Sequence, residues 1–245
     1  MLRRILLTSV IALVLAGCAA PAGPTSTLPA SAAPAACNHP FFPLAPGARW
    51  TYSDGRTWAV TAVTGNATSA TVSVQLTIAS DDSQHTSEWK CENGKVVGGV
   101  LATLYGLSPA SGGGILPGGQ TMVNTSGQFL PEAARLGPNV EWSQTFSEQL
   151  QVASGGTTAN TIEQYAVAGM EPVTFAGTSY DGLRLTGRRS VDEAQDIGGQ
   201  VTHTPVSDVT FELVLARGVG LVRLRLQDTV SGPTDELTLT DFHRP

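Results

Sequence analysis

Thr71-Val72-Ser73-Val74-Gln75-Leu76-Thr77-Ile78 is the stretch that decides the fold class. Its apolar residues fall at every second position and its polar residues between them. That period of two belongs to a strand with one face in a core and the other in water. Immediately upstream, Val60 and Val63 mark a preceding strand, and Thr64-Gly65-Asn66 supplies the turn. Downstream, His85 to Cys91 and Lys95 to Leu101 flank Glu92-Asn93-Gly94. Asn-Gly between two such runs is the strongest short hairpin signal.

The same reading continues to the end of the chain. Strands are expected over Glu141 to Val152, Thr157 to Val167, Tyr180 to Ser190, Val206 to Ala216, Val219 to Gln227 and Glu236 to Phe242. Leu183 and Leu185, then Phe211, Leu213 and Leu215, then Val222, Leu224 and Leu226, keep the period of two. Hairpins joined by Gly-rich turns imply an all-β, antiparallel sheet, built as a sandwich or a strongly curled half-barrel. The one helix-compatible stretch, Pro131 to Leu136, is one or two turns long.

The start of the chain is of another kind. Arg3 and Arg4 precede an apolar run from Ile5 to Ala16, closed by Leu15-Ala16-Gly17-Cys18. The run is shorter than the ~20 residues that span a bilayer core, so it reads as a secretory signal over residues 1–17. Its ending resembles the lipobox of bacterial lipoprotein precursors. The resemblance implies lipidation of the Cys18 thiol with diacylglycerol and fatty acid (palmitate), cleavage before Cys18, and an extracytoplasmic protein held to a cell membrane or an outer membrane. An ordinary signal peptide with a coincidental cysteine is the alternative. Ala19 to Ala36 contains only Ala, Pro, Gly, Ser, Thr and one Leu, too little apolar surface to offset its ordering entropy. Residues 18–36 are therefore expected to be the lipidated cysteine and a tether reaching up to about 55 Å, and residues 37–245 the β-rich domain.

Composition limits the partners. Removing residues 1–17 takes away two arginines and no acid, so the formal charge falls from −6 to −8. A negative chain is a poor match for nucleic acid, which needs clustered Lys and Arg. With Cys18 assigned to lipid, Cys37 and Cys91 remain as an even pair in an oxidising compartment. A disulfide between them closes a loop of roughly 50 residues, worth about 3–4 kcal/mol in the chain-entropy model. Two free thiols or a metal site are the alternatives. A metal site would need further ligands at close spacing, and His39, His85, His203 and His243 are scattered singly.

Two further patterns concern organisation. Pro46-Gly47-Ala48-Arg49-Trp50 is echoed by Pro138-Asn139-Val140-Glu141-Trp142, each a turn feeding a strand through a tryptophan. Two related half-domains or chance would each account for it. Together, Phe42 to Tyr52 (Phe-Pro-Leu-Ala-Pro-Gly-Ala-Arg-Trp-Thr-Tyr), Trp89-Lys90-Cys91 and Gly218-Val219-Gly220-Leu221-Val222 resemble motifs of a loose group of uncharacterised bacterial secreted and lipid-anchored β-proteins. These are turn-and-strand motifs, so the resemblance implies a fold and carries over no catalytic residue.

Signatures of catalysis are missing. The chain holds no Gly-x-Ser-x-Gly or His-Glu-x-x-His motif. Gly177-Thr178-Ser179-Tyr180-Asp181 lacks the closing glycine of a nucleophile turn and reads as a strand connection. Asp81-Asp82-Ser83 lacks the spaced oxygen ligands of a calcium loop and reads as a solvated turn. No cofactor or metal is expected, and no enzyme. Trp50, Trp58, Trp89 and Trp142 read as core before they read as a stacking platform for ligand. Arg184, Arg223 and Arg225 fall opposite the apolar positions and face outward, where pairing with Glu212, Asp208 and their neighbours is expected.

Two readings follow. In the first, the domain is a non-catalytic carrier of an apolar or lipid ligand, held in a sheet concavity under the Gly-rich segment Gly98 to Gly119. That segment places Leu104, Tyr105, Leu107, Ile115 and Leu116 as candidate ligand-binding residues. In the second, it is a cell-envelope domain that makes protein contacts alone. A curled sheet with an apolar pocket favours the first; a closed, tightly packed core favours the second.

Overall fold

The computed structural model describes residues 35–79, 83–101, 121–152, 155–197, 200–229 and 234–245. Among them, two short strands, β1 (Asn38–His39) and β2 (Phe42–Pro43), make a small hairpin. The others are β3 (Arg49–Tyr52), β4 (Thr57–Gly65), β5 (Ser69–Ile78), β6 (Ser83–Glu92), β7 (Lys95–Val97), β8 (Thr121–Gly127), β9 (Glu141–Val152), β10 (Gly155–Phe175), β11 (Thr178–Ile197), β12 (Gln200–Ala216), β13 (Gly220–Asp228) and β14 (Thr234–His243). These twelve form one antiparallel sheet in the order β7-β6-β5-β4-β3-β14-β13-β12-β11-β10-β9-β8. Its two ends approach each other. Val96 of β7 bridges Leu130, just beyond β8, with its N–H donating to the Leu130 carbonyl at 2.9 Å. Its own carbonyl accepts from Phe129 and Leu130 at 2.9 and 3.1 Å. The all-β antiparallel expectation therefore holds, and the curl goes further than a half-barrel: the sheet is nearly closed into a barrel.

The inner face follows from the alternation. Val72, Val74 and Leu76 on β5 are fully buried, as are Leu183 and Leu185 on β11 and Leu213 and Leu215 on β12. The β1–β2 hairpin caps one end of this core. Phe42 sits among Trp50, Trp58, Trp89 and Phe129, with ring centroids 5.4–6.5 Å away. Three tryptophans expected in the core, Trp50, Trp58 and Trp89, are there at 1–2% exposure, and the Trp50 indole donates to the Val219 carbonyl at 2.6 Å. Trp142 is only partly buried and donates to the Phe129 carbonyl at 3.1 Å.

Several boundaries differ from expectation. β10, β11 and β12 run longer than the apolar alternation marks, by up to eight residues at one end. Conversely, β7 stops at Val97 because Gly98 takes a φ of 141° with the Trp89 ring against it, and Val100 and Leu101 are buried beyond the turn. Pro131 to Leu136 contributes one 3-10 turn, Ala133–Arg135. The echo between the two Trp strands is a shared turn. Ala48 N–H donates to Ala45 and Val140 N–H to Gly137, with Gly47 and Asn139 both left-handed (φ 85° and 61°) after a proline. That is the geometry in which Pro and then Gly or Asn serve the two central positions.

Candidate functional site

Cys37 and Cys91 are joined, with Cα atoms 5.1 Å apart. The bond ties the start of the domain to β6, beside the capping hairpin. His39 of that hairpin is buried; its Nε2 lies 3.1 Å from the Pro131 carbonyl, and its Nδ1 accepts from the Phe41 N–H at 3.2 Å. The neutral ring with its proton on Nε2 satisfies both contacts. Burial pulls its pKa from 6.5 down to about 4, against the pull of the Pro131 hydrogen bond and helped by the nearby Arg217 cation. Phe41 in turn lies under that guanidinium, 4.6 Å from its ring centre.

Cys18 and the five candidate ligand residues Leu104, Tyr105, Leu107, Ile115 and Leu116 lie outside the described residues, as do Asp81 and Asp82. The expected outward arginines are outward and paired. Arg184 and Arg223 share Glu212 and Glu171 in an alternating ring of two bases and two acids, and Arg225 meets Glu236 at 2.8 Å. Arg188 holds Asp208 through two charge-assisted bonds, which keeps that carboxyl below its ordinary range.

Two features were not anticipated. The first is a charged row inside the barrel. Gln144, Glu163 and Arg189 are register partners on β9, β10 and β11, exposed by only 1%, 0% and 2%. One Glu163 oxygen accepts from Gln144 and, at 2.5 Å, from the Tyr165 hydroxyl; the other lies 3.7 Å from Arg189 Nε. Burial and then the Glu163 carboxylate hold the Tyr165 phenol well above its usual range. A signal for this row exists in the sequence. Arg189 shares the phase of Leu183 and Leu185, and Glu163 shares that of Tyr165 and Val167, so alternation places both charges inside.

The second is a groove of about 860 Å³. It crosses β9 to β13 over the row Trp142–Tyr165–Gly187–Phe211–Leu226, whose members are cross-strand partners. Those side chains belong to the inner face, so they offer the groove mainly backbone. The flanking rows supply its walls from outside, with Gln164, Thr186, Arg188, Thr210, Glu212 and Gln227 prominent among them. Gly187 is the pivot. A Cβ there would run into the Gln164 carbonyl and the Phe211 ring, which packs 5.2 Å from the Tyr165 ring. The groove is lined by hydroxyls, amides and paired charges, and lies on the outside of the barrel.

No family model matches the chain, and no curated protein matches it in sequence. Two crystal structures share its fold over 83% of its length, each with a TM-score of 0.53. One is a candidate lipoprotein from Parabacteroides distasonis ATCC 8503, 15% identical and covered over 98% of its chain. The other is a candidate exported protein with a YmcC-like fold from Bacteroides fragilis NCTC 9343, 11% identical and covered over 99%. At these identities the likeness is one of fold, and the barrel described above is the fold shared.

Proposed function

We propose that this chain is an extracytoplasmic protein, held to its membrane by a lipid on Cys18, which works through protein contacts on the outside of the barrel and catalyses no reaction. The observation that carries this reading is the position of the groove. The large concavity lies on the outer face of β9 to β13, while the inner face beneath it is filled by Tyr165, Phe211 and Leu226. Carriers of apolar ligands present the opposite arrangement, a concave and mainly apolar interior. The lipobox and the uncharged tether support the anchored location, and the words "lipoprotein" and "exported" attached to the two proteins of like fold agree with it.

The test uses cross-linking in intact cells. The parent should give a discrete protein adduct, and Gln164→Trp with Thr210→Trp, which fills the groove from outside without entering the core, should remove it. Cys18→Ala should shift the protein out of the detergent phase. Stoichiometric uptake of a fluorescent fatty acid by the parent, with no protein adduct, would overturn the contact reading in favour of the carrier.

A further inference from the structure

We infer that the open edge of β12 over Gln200–Pro205 is a docking strand for an extended, basic polypeptide segment of a partner protein. The inference deepens the contact reading above and rests on it. β13 pairs with β12 only from Val209 onward, where Asp228 is the partner, so the first part of β12 pairs with β11 alone. Among the described residues no strand covers its other side. Residues 200–205 are all exposed, and Val201, at 59%, is more exposed than Met170 or Ile162.

Parity shows which groups the edge offers. Pro205 is paired with Asp192 and has no N–H, so that pair is a non-hydrogen-bonded one and Pro205 turns its backbone polar groups away from β11. Stepping back by two, His203 and Val201 turn theirs the same way. The edge thus presents the N–H groups of Val201 and His203 and the carbonyls of Val201, His203 and Pro205. Natural sheets blunt such an edge with lysine, a proline or a bulge. Here Pro205 and the bulge at Val191/Asp192 close one end, and the remainder carries Val and Thr with no lysine. A strand of about five residues fits by main-chain pairing.

Charge selects the occupant. Asp192, Glu193 and Asp196 flank the edge, and from Ser190 to Pro205 the chain has neither Lys nor Arg, while Asp208 and Glu212 further on are held by arginines. Asp192 and Glu193 lie on β11 directly opposite Pro205 and Thr204, and Asp192 faces His203 at 2.8 Å. Two copies of this edge would bring like charges together. A segment carrying Lys or Arg meets complementary charge instead.

The probe is a fluorescein-labelled Lys-Thr-Val-Thr-Val-Lys peptide, compared by anisotropy with its Glu-for-Lys analogue on the full chain in detergent micelles. The basic peptide should bind saturably, about tenfold tighter than the acidic one, and more weakly as salt rises. Val201→Pro deletes a free-edge donor and no ladder bond, and should cost about tenfold in affinity at an unchanged melting temperature. If that variant melts early, Asp192→Asn with Glu193→Gln carries the test, and should erase the preference for the basic peptide. Equal affinity for both peptides, no binding of either, or undiminished binding by the folded variants would overturn the proposal. A photoreactive residue at position 201 or at position 186 separates the two levels of inference in cells. Adducts from 186 alone overturn the docking edge and leave the contact reading; adducts from neither overturn both.

Discussion

Acidification should loosen the cap of the barrel through His39, and the magnitude follows from its surroundings. Its Nδ1 faces the Phe41 N–H, and its Nε2 faces the Pro131 carbonyl. A second proton would put two donors against each other and add a cation near Arg217. The folded protein therefore resists protonation until about pH 4, while the unfolded chain takes the proton near pH 6.5. Between those values the unfolded state binds more protons, so stability falls as pH falls. The full contribution is present above pH 6.5 and is lost by about pH 4. The difference between the two values corresponds to roughly 3 kcal/mol. Asp208 and Glu236 have lowered pKa values through their arginine partners, and their contributions fade at lower pH, below the ordinary carboxylate range. Urea denaturation of the parent at pH 7.5, 5.5 and 4.2 should show the loss. His39→Gln keeps a neutral donor for Pro131 but strands the Phe41 N–H, so it should be about 1–3 kcal/mol less stable at pH 7.5. Its stability should change little between pH 6.5 and 4.2. Parallel pH profiles for parent and variant would refute the reasoning.

Three other outcomes follow from single features. Replacing Cys37 and Cys91 together with Ala should lower stability by about 4 kcal/mol for a separation of 54 residues, measured by denaturant titration with and without reductant; a smaller loss would mean that the aromatic cluster holds the hairpin unaided. Gly187→Ala should cost about 2–4 kcal/mol by overpacking, and Phe211→Leu in the same chain should recover part of it in thermal melts. Glu163→Leu should cost about 3–5 kcal/mol by leaving the Arg189 charge buried without its carboxylate, and Arg189→Met added to it should restore most of the loss.

The fold was legible where one face of a strand is buried and the other wet. β5 reads directly, since Val72, Val74 and Leu76 have no exposure and their neighbours do. The period fails for two physical reasons elsewhere. Over Gln200–Pro205 both faces are exposed, so nothing in the residue types alternates, and the strand is held by its ladder to β11. At the bulges the phase resets. Leu221 and Val222 are buried in succession because Val222 is the extra residue of the β13 bulge, with Leu221 paired to Leu215 and Arg223 to Val214. Neither the groove nor the open edge has a local signature, because each is made by register between strands distant in sequence. The buried Glu163 and Arg189 are different. Their phase was readable, and only the expectation that charges face water hid them.

Cys37 and the Gln200–Pro205 edge belong to opposite walls of the barrel. Cys37 is bonded to β6, while the open edge belongs to β12. In the sheet order these strands are six places apart among twelve, which is half the circumference once β7 and β8 meet through Val96 and Leu130. The disulfide, the His39–Pro131 bond and Phe42 among its aromatic neighbours hold the start of the described chain at the cap and the seam. β9 to β12 continue the wall from the β12–β13 turn, whose Gly218 N–H donates to the Pro40 carbonyl of the hairpin at 2.7 Å. They are held by long ladders and by the Glu163–Arg189 pair, which fixes their register because a slip of one residue would part the charges and turn the inner row outward. Under the proposed anchoring and contact reading, the wall held in register by that pair is the one that would meet a partner.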